Sequence, residues 1–255
     1  MNQKDDVIRE INELPKFELT GIFYDKDKKE APQFRGVKEI PSNRLIAVVS
    51  DIYQLVQFEE VFLPLLKDIN DLEGCVTYYN GKGFLEIYPE GESFKITNGH
   101  ENQRIGMLIK ISVDKTIAVT ANFSILFNNY RIPIPAKVKS FRKIHIGETI
   151  KMTEDFLSVM SDVKETWKTI VTDLSKSFIS MEDFENILAR VRMKNVKKDE
   201  EILEKINNGQ YTFWDLFLVL IEKVSNRKYK NEVNKLEKLK LISETIFDYS
   251  VIFRI

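Results

Sequence analysis

From Phe156 to Leu174 large apolar residues recur at intervals of 4, 3, 4, 3 and 4: Phe156, Met160, Val163, Trp167, Ile170 and Leu174. Side chains so spaced share one face of an α-helix for about five turns, whereas a strand turns its side chains alternately up and down. A stripe of that length needs a partner surface to cover it. It therefore fixes a helical layer in the second part of the chain.

The first part reads the other way. "CVTYY" and "GFLEIY" flank Asn80-Gly81, a strong hairpin signal, because both turn residues tolerate positive φ. "MLIKISV" and "TIAVTANF" flank Asp114-Lys115 and read as a second hairpin. "FELTGIFY" and "RLIAVVS" read as further strands, and the polar "YDKDKKEAPQ" at 24–33 as a solvated loop. One helix interrupts them: Val61, Phe62, Leu65, Leu66, Ile69 and Leu72 share a face, with Gly74 as its stop and Pro64 requiring either a start near Phe58–Val61 or a kink. After Gly147, Ser180 with Asp183 and Thr212 with Asp215 fit the helix-capping pattern, Gly209 reads as a C-cap, and a lysine-rich helix is expected over about 229–247. The fold class expected is α+β: an antiparallel β-sheet with hairpins and one packed helix over 1–147, then a helical region over 148–255 that packs on the first part.

The 255 residues hold 38 Lys and Arg against 39 Asp and Glu. That balance hides a segregation. Residues 1–101 carry a net −7, residues 102–147 a net +7 from eight bases and one acid (Asp114), and residues 148–255 a net −1. Sign asymmetry of this kind points to a polyanion. The basic segment ends in "RIPIPAKVKSFRKIHI", where four bases fall within residues 137–143. Pro133 and Pro135 argue against a central strand there and for an edge ribbon or exposed arm at the hinge between sheet and helices. The residues expected to contact nucleic acid are Lys110, Arg131, Lys137, Lys139, Arg142 and Lys143 at phosphates, with Tyr130 and Phe141 as stacking platforms. The alternative for a lone basic strand is a solvated edge whose lysines discourage aggregation. For "RVRMKNVKK" at 190–198, internal neutralisation is expected.

No catalytic constellation stands out, and the chain is read as a non-enzyme. His100 and His145 belong to no zinc-type cluster, no cofactor or metal is expected, and Cys75 is read as a core residue. "GKGFLE" joins a hairpin rather than opening a helix, so it is not a phosphate loop. Asp51, Glu59 and Glu60 could in principle serve a metal-dependent nuclease, but a local backbone bond for Asp51 and a helix start for the glutamates are the expected roles. The charged N-terminus is not a signal peptide, and no 18-residue apolar run would span a membrane. A reducing cytoplasm follows, that of a host cell if the source is viral.

"VVSDIYQLVQFEEVF" at 48–62 resembles the V-S-D-x-Y-x-x-V-Q-x-x-E-x-F signature of the phage/plasmid-like protein family, a domain of unknown function. "ITNGHENQ" (96–103), "KIHIGETI" (143–150) and "YTFWDLFLVLIEKVSNRKYKN" (211–231) resemble later segments of that family in the same order. The sequence departs at Ala121, where a Cys is expected, at Gly99, and at Ile146-Gly147. The resemblance implies a mobile genetic element and a DNA-metabolism accessory protein, comparable with oligomeric single-strand annealing proteins. The function expected is single-stranded DNA binding (RNA as the variant ligand) and strand annealing by a homo-oligomer. Two rivals are a protein-interaction module, either a host-defence inhibitor or an oligomeric structural protein, and the nuclease.

Overall fold

A computed structural model describes residues 2–24, 29–67, 69–90, 93–95, 102–114, 119–127, 130–135, 140–142 and 149–250. The fold is α+β, with two antiparallel sheets and seven α-helices among the described residues. By contact density the chain divides into two units. The first comprises Met1–Glu90, Met107–Ala121 and Phe141–Leu157; the second comprises Gly91–Gly106, Asn122–Ser140 and Ser158–Ile255.

The first unit opens with β1 (Asn2–Gln3) and α1 (Lys4–Asn12), then a three-stranded sheet of β2 (Phe17–Tyr24), β3 (Lys29–Glu39) and β4 (Arg44–Ser50) in the order β2-β3-β4. Helix α2 (Phe58–Leu66) follows, then the hairpin β5 (Leu72–Tyr79) and β6 (Lys82–Pro89). Strand β8 (Asn102–Ser112) pairs with β6 over Met107–Ser112. One face of this second sheet carries Val76, Leu85, Ile87, Met107 and Ile109 in register, and α1 and α2 cover it. Where α1 crosses β5 there is no room for a side chain: a Cβ on Gly74 would come within 2.7 Å of the Glu86 carbonyl and 3.0 Å of Val7.

The two-residue turn at Asn80-Gly81 is formed as the sequence requires, with φ of 47° and 76° and Tyr79 opposite Lys82. The helix at 58–66 is shorter than expected. Pro64 has no N–H to give the Glu60 carbonyl, the chain leaves the helix at Lys67, and Ile69 and Leu72 are buried from a loop and a strand instead. Gly74 is thus a strand residue and not a helix stop. The segment 24–33 also departs from expectation. Tyr24 and Lys29–Gln33 extend β2 and β3 as a ribbon, Phe23 pairing with Glu30. Its polar sequence hid this because both faces of the ribbon meet solvent, so no apolar alternation marks it.

The second unit contains β7 (Ser93–Lys95) against the start of β8, the strand pair β9 (Thr120–Phe127) and β10 (Tyr130–Pro133), and most of the helices. Strand β11 (Ser140–Arg142), whose Phe141 and Arg142 count with the first unit, pairs with β9. Helices α3 (Thr149–Lys176), α4 (Met181–Arg190), α5 (Glu200–Asn207), α6 (Phe213–Ser225) and α7 (Glu232–Tyr249) follow. The stripe behaves as its spacing dictates: Met160, Val163, Trp167, Ile170 and Leu174 are buried. Trp167 packs edge-on to Phe247 and donates its Nε1 proton to Gln103 Oε1 at 2.7 Å. Ser180 and Thr212 cap α4 and α6 by accepting from the Asp183 and Asp215 amides, and Gly209 takes a φ of 64° just past α5. Within 190–198, Arg190 pairs with Asp248 and Lys197 with Glu185, so two of the segment's five bases are neutralised by acids of their own unit.

Candidate nucleic-acid interface

The register of β5, β6 and β8 decides which side chains share the face of the first unit's sheet turned away from α1 and α2. Residues directly opposite in an antiparallel pair point the same way. Thr77, Phe84 and Lys110 form one row, and Tyr79, Lys82 and Ser112 the next. Lys110 Nζ lies 5.8 Å from the centre of the Phe84 ring, a cation–π arrangement that holds the amine over the sheet. Lys82 sits diagonally from Lys110, a separation of about 7–8 Å between Cα atoms. Lys82 makes no ion pair among the described residues, and Tyr79 beside it is half-exposed. The hairpin thereby sets Tyr79 beside Lys82, and β8 holds Lys110 one row away over the buried Phe84 ring.

Only Lys110 of that group was singled out from sequence. Tyr79 and Lys82 were legible in principle, since a two-residue Asn-Gly turn forces its flanking residues to face each other. They were missed because they lie outside the basic segment.

Tyr130 and Arg131 stand on β10 in the second unit. Arg131 Nη2 donates to Glu232 Oε2 at 2.5 Å, and its side chain is 17% exposed. Glu232 is the first residue of α7, where the helix dipole favours an anion, so this bridge ties strand to helix. Tyr130 is half-buried opposite Phe127, which packs edge-on to Trp214. Phe141 and Arg142 are successive residues of β11. Lys137, Lys139 and Lys143 lie outside the described residues, as do His100 and His145. Lys110, Phe141 and Arg142 thus belong to the first unit, while Tyr130 and Arg131 have their own partners in the second.

Strand β10 is at the end of its strand order, as its prolines require, but it is not an exposed arm. Ile132, Pro133, Ile134 and Pro135 are buried, and α6 and α7 pack on the strand. Two isoleucines between the prolines supply the apolar surface that the helices cover.

The carboxylates considered for metal binding have local work. Asp51 Oδ1 accepts from the Ile52 amide at 3.0 Å, Glu60 completes a capping box with Gln57, and Glu59 pairs with Lys16. Cys75 is half-buried rather than in the core, its Sγ 3.7 Å from Glu86 Oε2. In the second unit a cavity of about 540 Å³ between α5 and α6 is lined by Asp199, Lys205, Tyr211, Glu222, Lys223 and Arg227, among others. Burial pushes the Tyr211 hydroxyl's pKa up, so it stays protonated. Acids and bases in the lining balance, so the cavity offers no net charge to a polyanion. Among the described residues no helix is long and apolar enough to cross a membrane.

No family model, no curated protein and no solved structure matches the chain.

Proposed function

We propose that the chain binds single-stranded nucleic acid, DNA in the first instance, and brings complementary strands together, in the service of a virus or plasmid within a host cytoplasm. The observation that carries this reading is the segregation of charge, a net +7 over residues 102–147 beside a net −7 over residues 1–101. Such a segment attracts phosphates and is favoured by the counterions they release, while the acidic flank disfavours binding elsewhere. Tyr79 and Lys82 beside the Asn80-Gly81 turn support the reading, since an amine can meet a phosphate while a neighbouring ring receives a base. No bond needs to be made or broken: annealing requires neutralised backbones and bases held where complements can meet. Membership of the phage/plasmid-like protein family is part of the same proposal.

The test is anisotropy titration with single- and double-stranded oligonucleotides across a salt series. Binding to a single strand should weaken with salt, with a log–log slope that falls by about 0.7 for each phosphate contact removed. Replacing Lys137, Lys139, Arg142 and Lys143 together with Ala should lower the slope by about three on the same scale. Absence of binding at low salt, or a slope unchanged in that variant, overturns the reading.

A second reading, a protein-interaction module, is favoured by one observation: Phe34, Leu45 and Val48 stand half-exposed on the β2-β3-β4 sheet. A protein with no affinity for oligonucleotides at low salt that still self-associates would be described by it instead.

A further inference from the structure

We infer that β4 is a self-pairing edge, through which two copies of this chain join their three-stranded sheets about a two-fold axis at Val48. The inference stands apart from the nucleic-acid reading and is tested without nucleic acid.

Strand β4 is last in the order β2-β3-β4, so one side of it has no strand partner among the described residues. The Asp51 amide donates to the Gln33 carbonyl at 3.1 Å. Hydrogen-bonded pairs alternate along an antiparallel ladder, so the register Arg35 to Val49 and Val37 to Ala47 is also bonded. The N–H and C=O of Val48, which is paired with Gly36 between these, therefore point to the open edge. A residue in that position can exchange both hydrogen bonds with its own copy across a two-fold axis.

Side chains agree with the backbone. Open edges are ordinarily blunted by lysine, proline or inward-pointing charge. Between Arg44 and Asp51, β4 reads "LIAVVS", with none of these. Leu45 and Val48 are 51% and 53% exposed, and Ile52 just beyond is 83% exposed. Pairing Val48 with its copy puts Ala47 opposite Val49 and Leu45 opposite Asp51. It brings the basic start of each strand, Arg44, whose guanidinium also lies 3.6 Å from Glu39 of its own chain, beside the acidic end of the other, Asp51. The charges at both ends of the strand are thus complementary to the same strand reversed, and the exposed apolar row continues across the junction. Glu18 and Lys38 on this face pair with each other at 3.0 Å, so they add no net charge beside the joined edge.

The experiment is sedimentation equilibrium on the full chain over a wide concentration range without nucleic acid. The wild type should move from monomer to dimer mass, and Val48→Lys should weaken association at least about tenfold, because an edge lysine is the ordinary device against strand pairing. Thermal unfolding checks that the variant is folded. Register is tested in a Cys75→Ser background. Val48→Cys should oxidise to a linked dimer, since a hydrogen-bonded pair holds its Cα atoms about 5.5 Å apart, within disulfide range. Leu45→Cys should not, its two copies being about 20 Å apart in this register. A wild type that stays monomeric throughout, a Val48→Lys that dimerises as well as wild type, or a Leu45→Cys that links as fast as Val48→Cys each overturns the inference.

Discussion

Strands β4 and β10 both stand at the end of their strand orders, and they solve the problem of an unpaired edge in opposite ways. In the second unit, β10 ends at Pro133, buries Ile132 and Ile134 beneath α6 and α7, and engages Arg131 with Glu232. In the first unit, β4 has no proline, no charge between Arg44 and Asp51, and two half-exposed apolar side chains. The difference shows where an interaction surface can remain. An edge covered by helices of its own unit is finished, and an edge left open with an apolar face is available. Local charge alone points to the first, because Arg131 and the basic run beyond it are conspicuous in sequence while "LIAVVS" is not.

The largest expected effect is a matched pair of truncations on the two strands. Ile132→Ala should cost about 2–5 kcal/mol, the usual range for emptying a fully buried isoleucine site. Val48→Ala should stay within about 0.5 kcal/mol, as a change at a half-exposed site away from special features does. Chemical denaturation of both variants at low protein concentration measures this. Similar losses at the two sites would erase the distinction between a covered and an open edge.

The sequence made this contrast only half visible. The Phe156–Leu174 stripe, the Asn80-Gly81 turn and the Ser180 and Thr212 caps could be read because each is set by neighbours within four residues. Where burial depends on what arrives from far along the chain, reading failed. Ile69 and Leu72 continue the apolar spacing of α2 by coincidence, buried in a loop and a strand. Lys29–Gln33 is polar on both sides because both sides are wet. The fate of Arg131 was decided by Glu232, a hundred residues away, and no count of bases could supply that. The patch of Tyr79, Lys82 and Lys110 was legible in part, its hairpin half from the turn alone.

The next effect concerns what anchors the covered face of the open-edged sheet. Phe17 of β2 packs edge-on to Phe58, ring centres 5.5 Å apart, and Phe58 lies against Gly83. A Cβ on Gly83 would stand 2.7 Å from the Phe58 ring, so Gly83→Ala must displace a buried aromatic wedged between Phe17, Phe62 and Tyr78. Overpacking of this kind costs about 1–3 kcal/mol. A denaturation midpoint equal to wild type would mean that Phe58 does not fix the sheet.

Glu39, the last residue of β3, is the polar part of the same anchor. Burial alone would raise its pKa, but hydrogen bonds from Ser42 and Tyr78 and the Arg44 guanidinium outweigh that and hold it below the usual 4.5. A carboxyl lowered on folding stabilises the protein above its unfolded pKa, and that contribution is lost as pH falls through the folded value. Stability should therefore decline below about pH 4.5, and Glu39→Gln should flatten that part of the profile. Unfolding midpoints measured from pH 7 to pH 3 decide this, and an unchanged slope in Glu39→Gln removes Glu39 as its source.

The smallest effect is the sharpest for the two sets of bases. Arg131→Ala breaks a bridge whose Glu232 partner is half-exposed, so it should cost about 1 kcal/mol or less. Because the guanidinium is already occupied, its loss should leave the salt slope of oligonucleotide binding unchanged. Lys82→Ala, with no ion pair to lose among the described residues, should leave stability unchanged and lower that slope by about 0.7. Anisotropy titrations at four salt concentrations for the two variants separate the roles. If Arg131→Ala lowers the slope and Lys82→Ala does not, phosphates are held on β10, the Glu232 bridge opens to admit them, and the covered edge is the functional one.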